Sequence, residues 1–294
     1  MKYTRLSDYL KTEFGCKYYK LSLSCAVTCP NRDGVCGYSG CIFCSQKGSG
    51  DFAQSAILDI DKQIEKAKSL VKSKTCSDMY IAYFQSFTST YGDADYLKDV
   101  FFRTIMRDDI AILSIATRPD CLNDQILAVI KELNAVKPVW IELGLQSVHN
   151  CTAEYIRRGY DTSVYFEAIE KLRKIGVHVI THIIIGLPYE TKEMIIETAR
   201  QVGKVTDGVK LQLLHILKDT DLEEEYKQNK FSVLSLEEYA DILCECINAM
   251  PENIVIHRLT GDGDKHTLIA PLWSADKKRV LNFINHKIAQ YERI

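Results

Sequence analysis

Cys29, Cys36, Cys41 and Cys44 gather four of the chain's 11 cysteines into one short stretch. Cys41 and Cys44 form a Cys-x-x-Cys pair, with Phe43 just before the second sulfur. Cys29 lies twelve positions upstream of Cys41. Pro30, Gly34, Gly37 and Gly40 fall between them without apolar periodicity, so the stretch reads as a loop. Thiolates are soft ligands that select zinc, copper(I) or iron–sulfur clusters. Three readings meet here. One is an iron–sulfur cluster on Cys29, Cys41 and Cys44 with one iron left open. The second is a structural zinc using Cys36 as well, and the third is inert thiols or disulfides. Cys29 and Cys36 are seven apart, wider than a zinc knuckle. The odd cysteine total, and the lack of an apolar secretory segment in Met1–Phe14, argue against a disulfide framework.

Other chemistry-bearing residues lie at the ends of apolar runs. They include Gln85-Ser86-Phe87-Thr88, Thr117-Arg118-Pro119-Asp120, Gly186-Leu187-Pro188, and Lys210 and Gln212 with His215. Glu142, Gly144 and Gln146 share one face of a strand at period two. A carboxylate inside so apolar a run is costly to bury, so Glu142 is expected to face a polar cavity with a partner. Glu142, His182, Lys210, Gln212, His215, His257 and Arg258 are candidates for a substrate pocket; His178 is expected at the opposite end. A single histidine is more often structural than catalytic. Cys244 and Cys246 read as core packing, and the lysines at 62–74 as a solvated helix face.

The elements that must position these residues alternate. Strands are expected at 18–23, 79–84, 110–116, 139–145, 177–185, 209–214 and 254–257. Helices are expected at 57–74, 95–107, 123–133, 163–175, 191–204, 235–250 and 275–293. Asn123 and Thr191 read as helix N-caps, Ser235 with Glu238 as a capping box, and Gly176 as a helix stop. About seven strand–helix repeats predict an α/β fold of mostly parallel strands, a partial or complete (β/α) barrel with its chemistry at the strand carboxyl ends. The expected organisation is a single domain over 1–294, with a core over 15–250 and a C-terminal strand and helix extension over 251–294. A net charge of −2 gives no global field for nucleic acid. The longest apolar run, 177–188, is interrupted and too short to span a bilayer, so a cytoplasmic protein with no membrane partner is expected.

The chain resembles the radical S-adenosylmethionine (SAM) enzymes, and within them the YhcC/YtqA-like branch, also called MnmL-like on its YtqA side. The motifs that carry this are Cys-Pro-Asn-Arg-Asp-Gly at 29–34, Gly-Cys-Ile-Phe-Cys-Ser at 40–45 and Gly-Ser-Gly-Asp-Phe at 48–52. They continue with Ala-Tyr-Phe-Gln-Ser-Phe-Thr at 82–88, Thr-Arg-Pro-Asp-Cys at 117–121, Glu-Leu-Gly-Leu-Gln-Ser at 142–147 and Arg-Gly-Tyr at 158–160. The last are His-Ile-Ile-Ile-Gly-Leu-Pro at 182–188, Lys-Leu-Gln-Leu-Leu-His at 210–215 and His-Arg-Leu-Thr-Gly-Asp-Gly at 257–263. They run in order along nearly the whole chain.

The resemblance implies a [4Fe-4S] cluster on Cys29, Cys41 and Cys44, whose open iron is chelated by SAM. One electron, from a flavodoxin- or ferredoxin-type reductant, then releases a 5′-deoxyadenosyl radical that abstracts hydrogen from substrate. Cys25 and Cys36 stand as bystanders. For the cofactor, it implies contacts from Phe43, Gln85, Ser86, Thr88, Thr117, Arg118, Gln146, Gly186 and Leu187. Gln146 is expected at the ribose, and Arg158 at the cofactor carboxylate. Glu142, His182, Lys210, His215 and Arg258 are the expected catalytic group. The implied substrate is tRNA, at the 5-position side chain of the wobble uridine, converted from carboxymethylaminomethyl toward aminomethyl. Lys210, Arg258 or Arg118 would hold the side chain's carboxylate. The alternatives are a radical SAM enzyme for a small metabolite or protein, and a zinc-stabilised binding module without catalysis.

Overall fold

A computed structural model describes residues 3–291 apart from 47, 49, 51, 52, 76 and 262. Three positions of the 48–52 motif, Asp262 of the 257–263 motif and the end of the expected terminal helix lie outside the described residues. The first half of the chain runs β1 (Thr4–Arg5), α1 (Leu6–Phe14), β2 (Tyr19–Leu23), α2 (Ile60–Val71), β3 (Tyr80–Phe84), α3 (Ala94–Ile105), β4 (Ile110–Thr117), α4 (Asp124–Asn134) and β5 (Val139–Gln146). The second runs α5 (Asn150–Tyr155), α6 (Thr162–Ile175), β6 (His178–Ile185), α7 (Lys192–Gly203), β7 (Gly208–Leu213), β8 (Ile216–Leu217), α8 (Asp221–Lys227), α9 (Leu236–Asn248), β9 (Val255–Arg258), β10 (Leu268–Ala270) and α10 (Lys277–Tyr291).

Eight strands form one sheet in the order β1-β9-β7-β6-β5-β4-β3-β2, every neighbouring pair parallel. The two edge strands, β1 and β2, do not pair with each other among the described residues, so the sheet is a half-barrel. Buried residues of β2–β7 and the inward faces of the helices make one large apolar cluster. Burying strands on both faces requires near-continuous apolar runs such as Ile110–Thr117. The helices begin where their caps dictate. Asn123 accepts from the Ile126 N–H, Thr191 from Met194, and Ser235 and Glu238 complete a capping box. Because the strands are parallel, their carboxyl ends meet at one rim, and the cysteine loop leaves β2 there.

The N-terminus departs from its polar reading. Thr4–Arg5 pairs with β9, and α1 closes the opposite end of the half-barrel. Leu10, only 1% exposed, packs with Ile81, Ile112, Trp140 and Ile180. Leu6, Leu10 and Phe14, four apart, carried that helix in the sequence. The short helices α5 and α8 and the β8–β10 antiparallel ribbon were also unread, being too brief to show a period.

Candidate active site

The cysteine loop is held by its own backbone. Gly40 N–H donates to Asn31 O at 2.8 Å, Cys36 N–H to Pro30 O at 2.8 Å and Cys44 N–H to Cys41 O at 3.0 Å. Arg32 closes it from within, its guanidinium donating to Ser45 O at 2.6 Å and Cys44 O at 3.3 Å. Ile42 is buried in an apolar cluster with Ile156, Ile184 and Leu187, which seats the loop on the rim. Cys29, Cys41 and Cys44 all line one cavity of about 280 Å³; Cys36, the fourth ligand of the zinc reading, is exposed and does not. Asn31 Nδ2 lies 3.3 Å from Cys41 Sγ, and Arg118 Nη1 lies 4.0 Å from Cys29 Sγ. Burial, helped by the neighbouring Cys44, pushes the Cys41 thiol up to about 12 against the opposing Arg118 charge. A metal cation is what holds such a thiol as thiolate. Three cysteines in one cavity lining, with N–H donors beside the sulfurs of Cys41 and Cys29, are a donor set that fits a cluster held at three corners.

The floor of the cavity is built on Glu142. Its side chain has no solvent exposure. Oε1 accepts from Lys20 Nζ at 2.6 Å and Ser114 Oγ at 2.7 Å; Oε2 accepts from His182 Nε2 at 2.7 Å and from Lys210 Nζ. The expected partner is therefore a full set, and Glu142 has little acceptor capacity left for a substrate proton. Burial alone would raise its carboxyl, but Lys20, Lys210 and His182 hold it well below the usual range. Two ammonium groups share this one carboxylate. Burial, reinforced by Lys20 and Arg258, accordingly holds Lys210 well below the ordinary lysine range despite Glu142. Burial and the Lys210 charge push His182 down to about 4, so its imidazole is neutral and donates from Nε2. Tyr83 closes this floor. Its hydroxyl accepts from Lys210 at 3.1 Å, and the Lys20 and Lys210 ammoniums lie 4.6 and 4.4 Å from its ring centre. The sequence reading omitted Lys20. Its signal was a lysine two residues before Ser22 on the inward face of a strand.

Most of the expected site converges. Phe43, Gln85, Thr88, Thr117, Arg118, Gln146 and Arg158 line the cavity with Glu142, His182, Lys210, Gln212, His215 and Arg258. Among the described residues, its lining carries Arg32, Arg118, Arg158, Lys210 and Arg258 and the one carboxylate of Glu142. Arg118 forks onto Asp120 at 2.9 and 2.7 Å. Gln146 sits at φ 66° beside an irregularity in the β5–β6 register, its carboxamide turned toward the Leu145 backbone.

Four residues stand elsewhere. Ser86 is buried outside the lining. Gly186 packs against Leu234 and Leu214, and Leu187 belongs to the cluster beneath the cysteine loop. His257 packs at the closed end against Trp140 and His178, with ring centres 5.2 and 5.9 Å away. Arg158 needs a different correction. It is 1% exposed and donates to Leu145 O, Ser147 O, Tyr160 O and Thr162 Oγ1 at 2.9, 2.7, 3.1 and 2.9 Å. Those acceptors take up its fork, so it braces the turn after β5 rather than presenting itself to a carboxylate.

Residues 27–202 match the family described as the Radical SAM superfamily, and residues 206–290 the one described as the Radical SAM C-terminal domain. The chain belongs to the radical SAM superfamily. It is 41% identical over 288 residues to the uncharacterized protein YtqA of Bacillus subtilis, covering 98% of this chain and 89% of that one. To protein YhcC of Escherichia coli it is 33% identical over 270 residues, covering 91% and 86%. A tRNA uridine(34) acetyltransferase of Methanocaldococcus infernus is 26% identical over 154 residues, 51% of this chain and 28% of that one. The solved structure of M. infernus Elp3 superposes with a TM-score of 0.63 at 19% identity, over 72% of this chain and 55% of that one, a likeness of fold.

As a radical SAM enzyme, the chain uses a [4Fe-4S] cluster and SAM and depends on a reductant. Among the described residues, no helix is long and apolar enough to cross a membrane.

Proposed function

We propose that this radical SAM enzyme acts on tRNA, at the 5-position side chain of the wobble uridine, carrying carboxymethylaminomethyl toward aminomethyl. The observation that carries the reading is the cavity's charge. Among the described residues, five cationic side chains and one carboxylate line it, in a chain whose net charge is −2. Such a lining favours an anionic substrate group beside the cofactor carboxylate. The named substrate of the tRNA uridine(34) acetyltransferase, a relative over half of this chain, supports the same tRNA position.

In this reading Cys29, Cys41 and Cys44 hold the cluster. When bound, the cluster and SAM supply a 5′-deoxyadenosyl radical that takes hydrogen from the substrate. Arg258 holds the side chain's carboxylate, while Arg118, its fork taken up by Asp120, lines the wall beside it. Lys210 does not reach for that carboxylate, because its ammonium is already engaged by Glu142 and Tyr83; with Lys20 it leaves the floor with two cations to one anion. His182 fixes one face of the floor through Glu142 and presents a neutral ring to the cavity. Gln146 and Thr117 line the wall for the cofactor, and Phe43 covers it from the loop. A flavodoxin or ferredoxin supplies the electron, and the reaction takes place in the cytoplasm.

Anaerobic turnover of reduced, reconstituted enzyme with SAM and bulk tRNA tests the proposal by nucleoside mass spectrometry. The carboxymethylaminomethyl nucleoside is expected to fall and the aminomethyl nucleoside to rise as 5′-deoxyadenosine accumulates. Formation of 5′-deoxyadenosine with every wobble uridine unchanged would overturn the substrate and leave the radical chemistry standing.

A further inference from the structure

Asn31 stands two residues after Cys29 and is 4% exposed. Its backbone carbonyl accepts the Gly40 N–H at 2.8 Å, which sets the position of Cys41. Its side chain points across to the turn after α5. Nδ2 lies 2.7 Å from Arg157 O, 3.2 Å from Arg158 O and 3.3 Å from Cys41 Sγ. Two carbonyl oxygens at that distance fix which end of the amide faces the sulfur, because an amide oxygen there would meet only acceptors. The nitrogen therefore faces Cys41, and the N–H groups are shared between the sulfur and the turn.

The turn is shaped to receive this amide. Gly159 lies at φ +84°, and a Cβ there would come within 2.6 Å of Asn31 Oδ1. Oδ1 itself has no hydrogen-bond partner among the described residues. A buried carboxamide with one end unsatisfied is costly, which points to a use for the other end. For Cys41 and Cys29 the side-chain N–H groups stand at 3.3 Å, from Asn31, and at 4.0 Å, from Arg118.

We infer that Asn31 is a positioning residue for the metal centre: its amide N–H donates to the Cys41 sulfur and raises the reduction potential of the cluster that sulfur holds. A donor dipole aimed at a ligating sulfur stabilises the electron added on reduction, and hydrogen bonds to cluster sulfurs are among the factors that set such potentials. The inference is independent of the substrate.

The test is an EPR-monitored redox titration of the reconstituted holoenzyme, with iron and sulfide content measured on the same samples. Asn31→Leu keeps the approximate shape and removes both N–H groups. Its midpoint is expected to move to more negative potential at full iron content. The reduced cluster is also expected to lose an exchangeable-proton coupling in ENDOR spectra. An unchanged midpoint with full iron content would overturn the inference. Should Asn31→Leu fail to load iron, Gly159→Ala decides, since it displaces the amide from the Oδ1 side without removing a donor. A negative shift there supports the hydrogen bond; a wild-type midpoint and coupling refute it.

Discussion

Lys20 Nζ lies 2.6 Å from Glu142 Oε1, an ion pair that ties the first inward-facing lysine of the half-barrel to a carboxylate two strands further round the sheet than its neighbour β3. With Lys210 on the other oxygen, the pair makes one buried anion answer for two cations. Glu142→Gln would leave both ammonium groups uncompensated. The expected loss is about 3–5 kcal/mol of unfolding free energy, measured by urea denaturation. Adding Lys210→Met should recover part of it, because the second change removes the more deeply buried of the stranded charges. A double variant no more stable than the single one would show that the floor is not held by charge balance.

Acid should weaken the fold through His182. Its folded pKa of about 4 lies below the ordinary 6.5, so the unfolded chain binds the extra proton first. The stabilisation is complete above pH 6.5 and is lost as the pH falls from 6.5 toward 4, by about 3 kcal/mol at the acid end. Burial holds His257 well below its usual value too, so it adds in the same direction. Melting temperature against pH checks this; His182→Asn should flatten the slope between pH 6.5 and 4.

Arg158→Lys separates a brace from a carboxylate clamp. A lysine carries one nitrogen to a place where a guanidinium serves three carbonyls and a hydroxyl. Stability should fall by at least about 2 kcal/mol, since buried acceptors lose their donors. The dissociation constant for SAM, measured by calorimetry below the new melting temperature, should move little. A large weakening of SAM binding in a fully stable variant would restore the clamp.

Iron analysis after anaerobic reconstitution sorts the thiols. Cys29→Ala, Cys41→Ala and Cys44→Ala should each lose most of the cluster absorbance. Cys36→Ala should retain it, because that residue is exposed and outside the cavity lining. Cys25→Ala should also keep its iron while losing about 1 kcal/mol of stability. Its sulfur is buried on the Ser89 carbonyl rather than facing the loop.

The fold was legible because local rules and global topology agreed. Caps at Asn123, Thr191 and Ser235 began helices where they stand, and the β/α alternation forced the polar strand ends onto one rim. The need of Glu142 for partners was legible from its apolar flanks, but their identity was not, because cross-strand register decides it. Lys20 carries no signal of its pairing in the sequence, because its reach to Glu142 depends on the register of β2, β3, β4 and β5. Arg158 was legible as important but not as a carbonyl brace, since sequence does not show what a guanidinium faces. His257 sits on a strand of only four residues, too short to tell which end of the half-barrel its ring occupies.

The helix packed beneath Trp140 makes the chamber a blind alley. Reagents therefore come in over the strand carboxyl ends or past the edge strands β1 and β2, not through that floor.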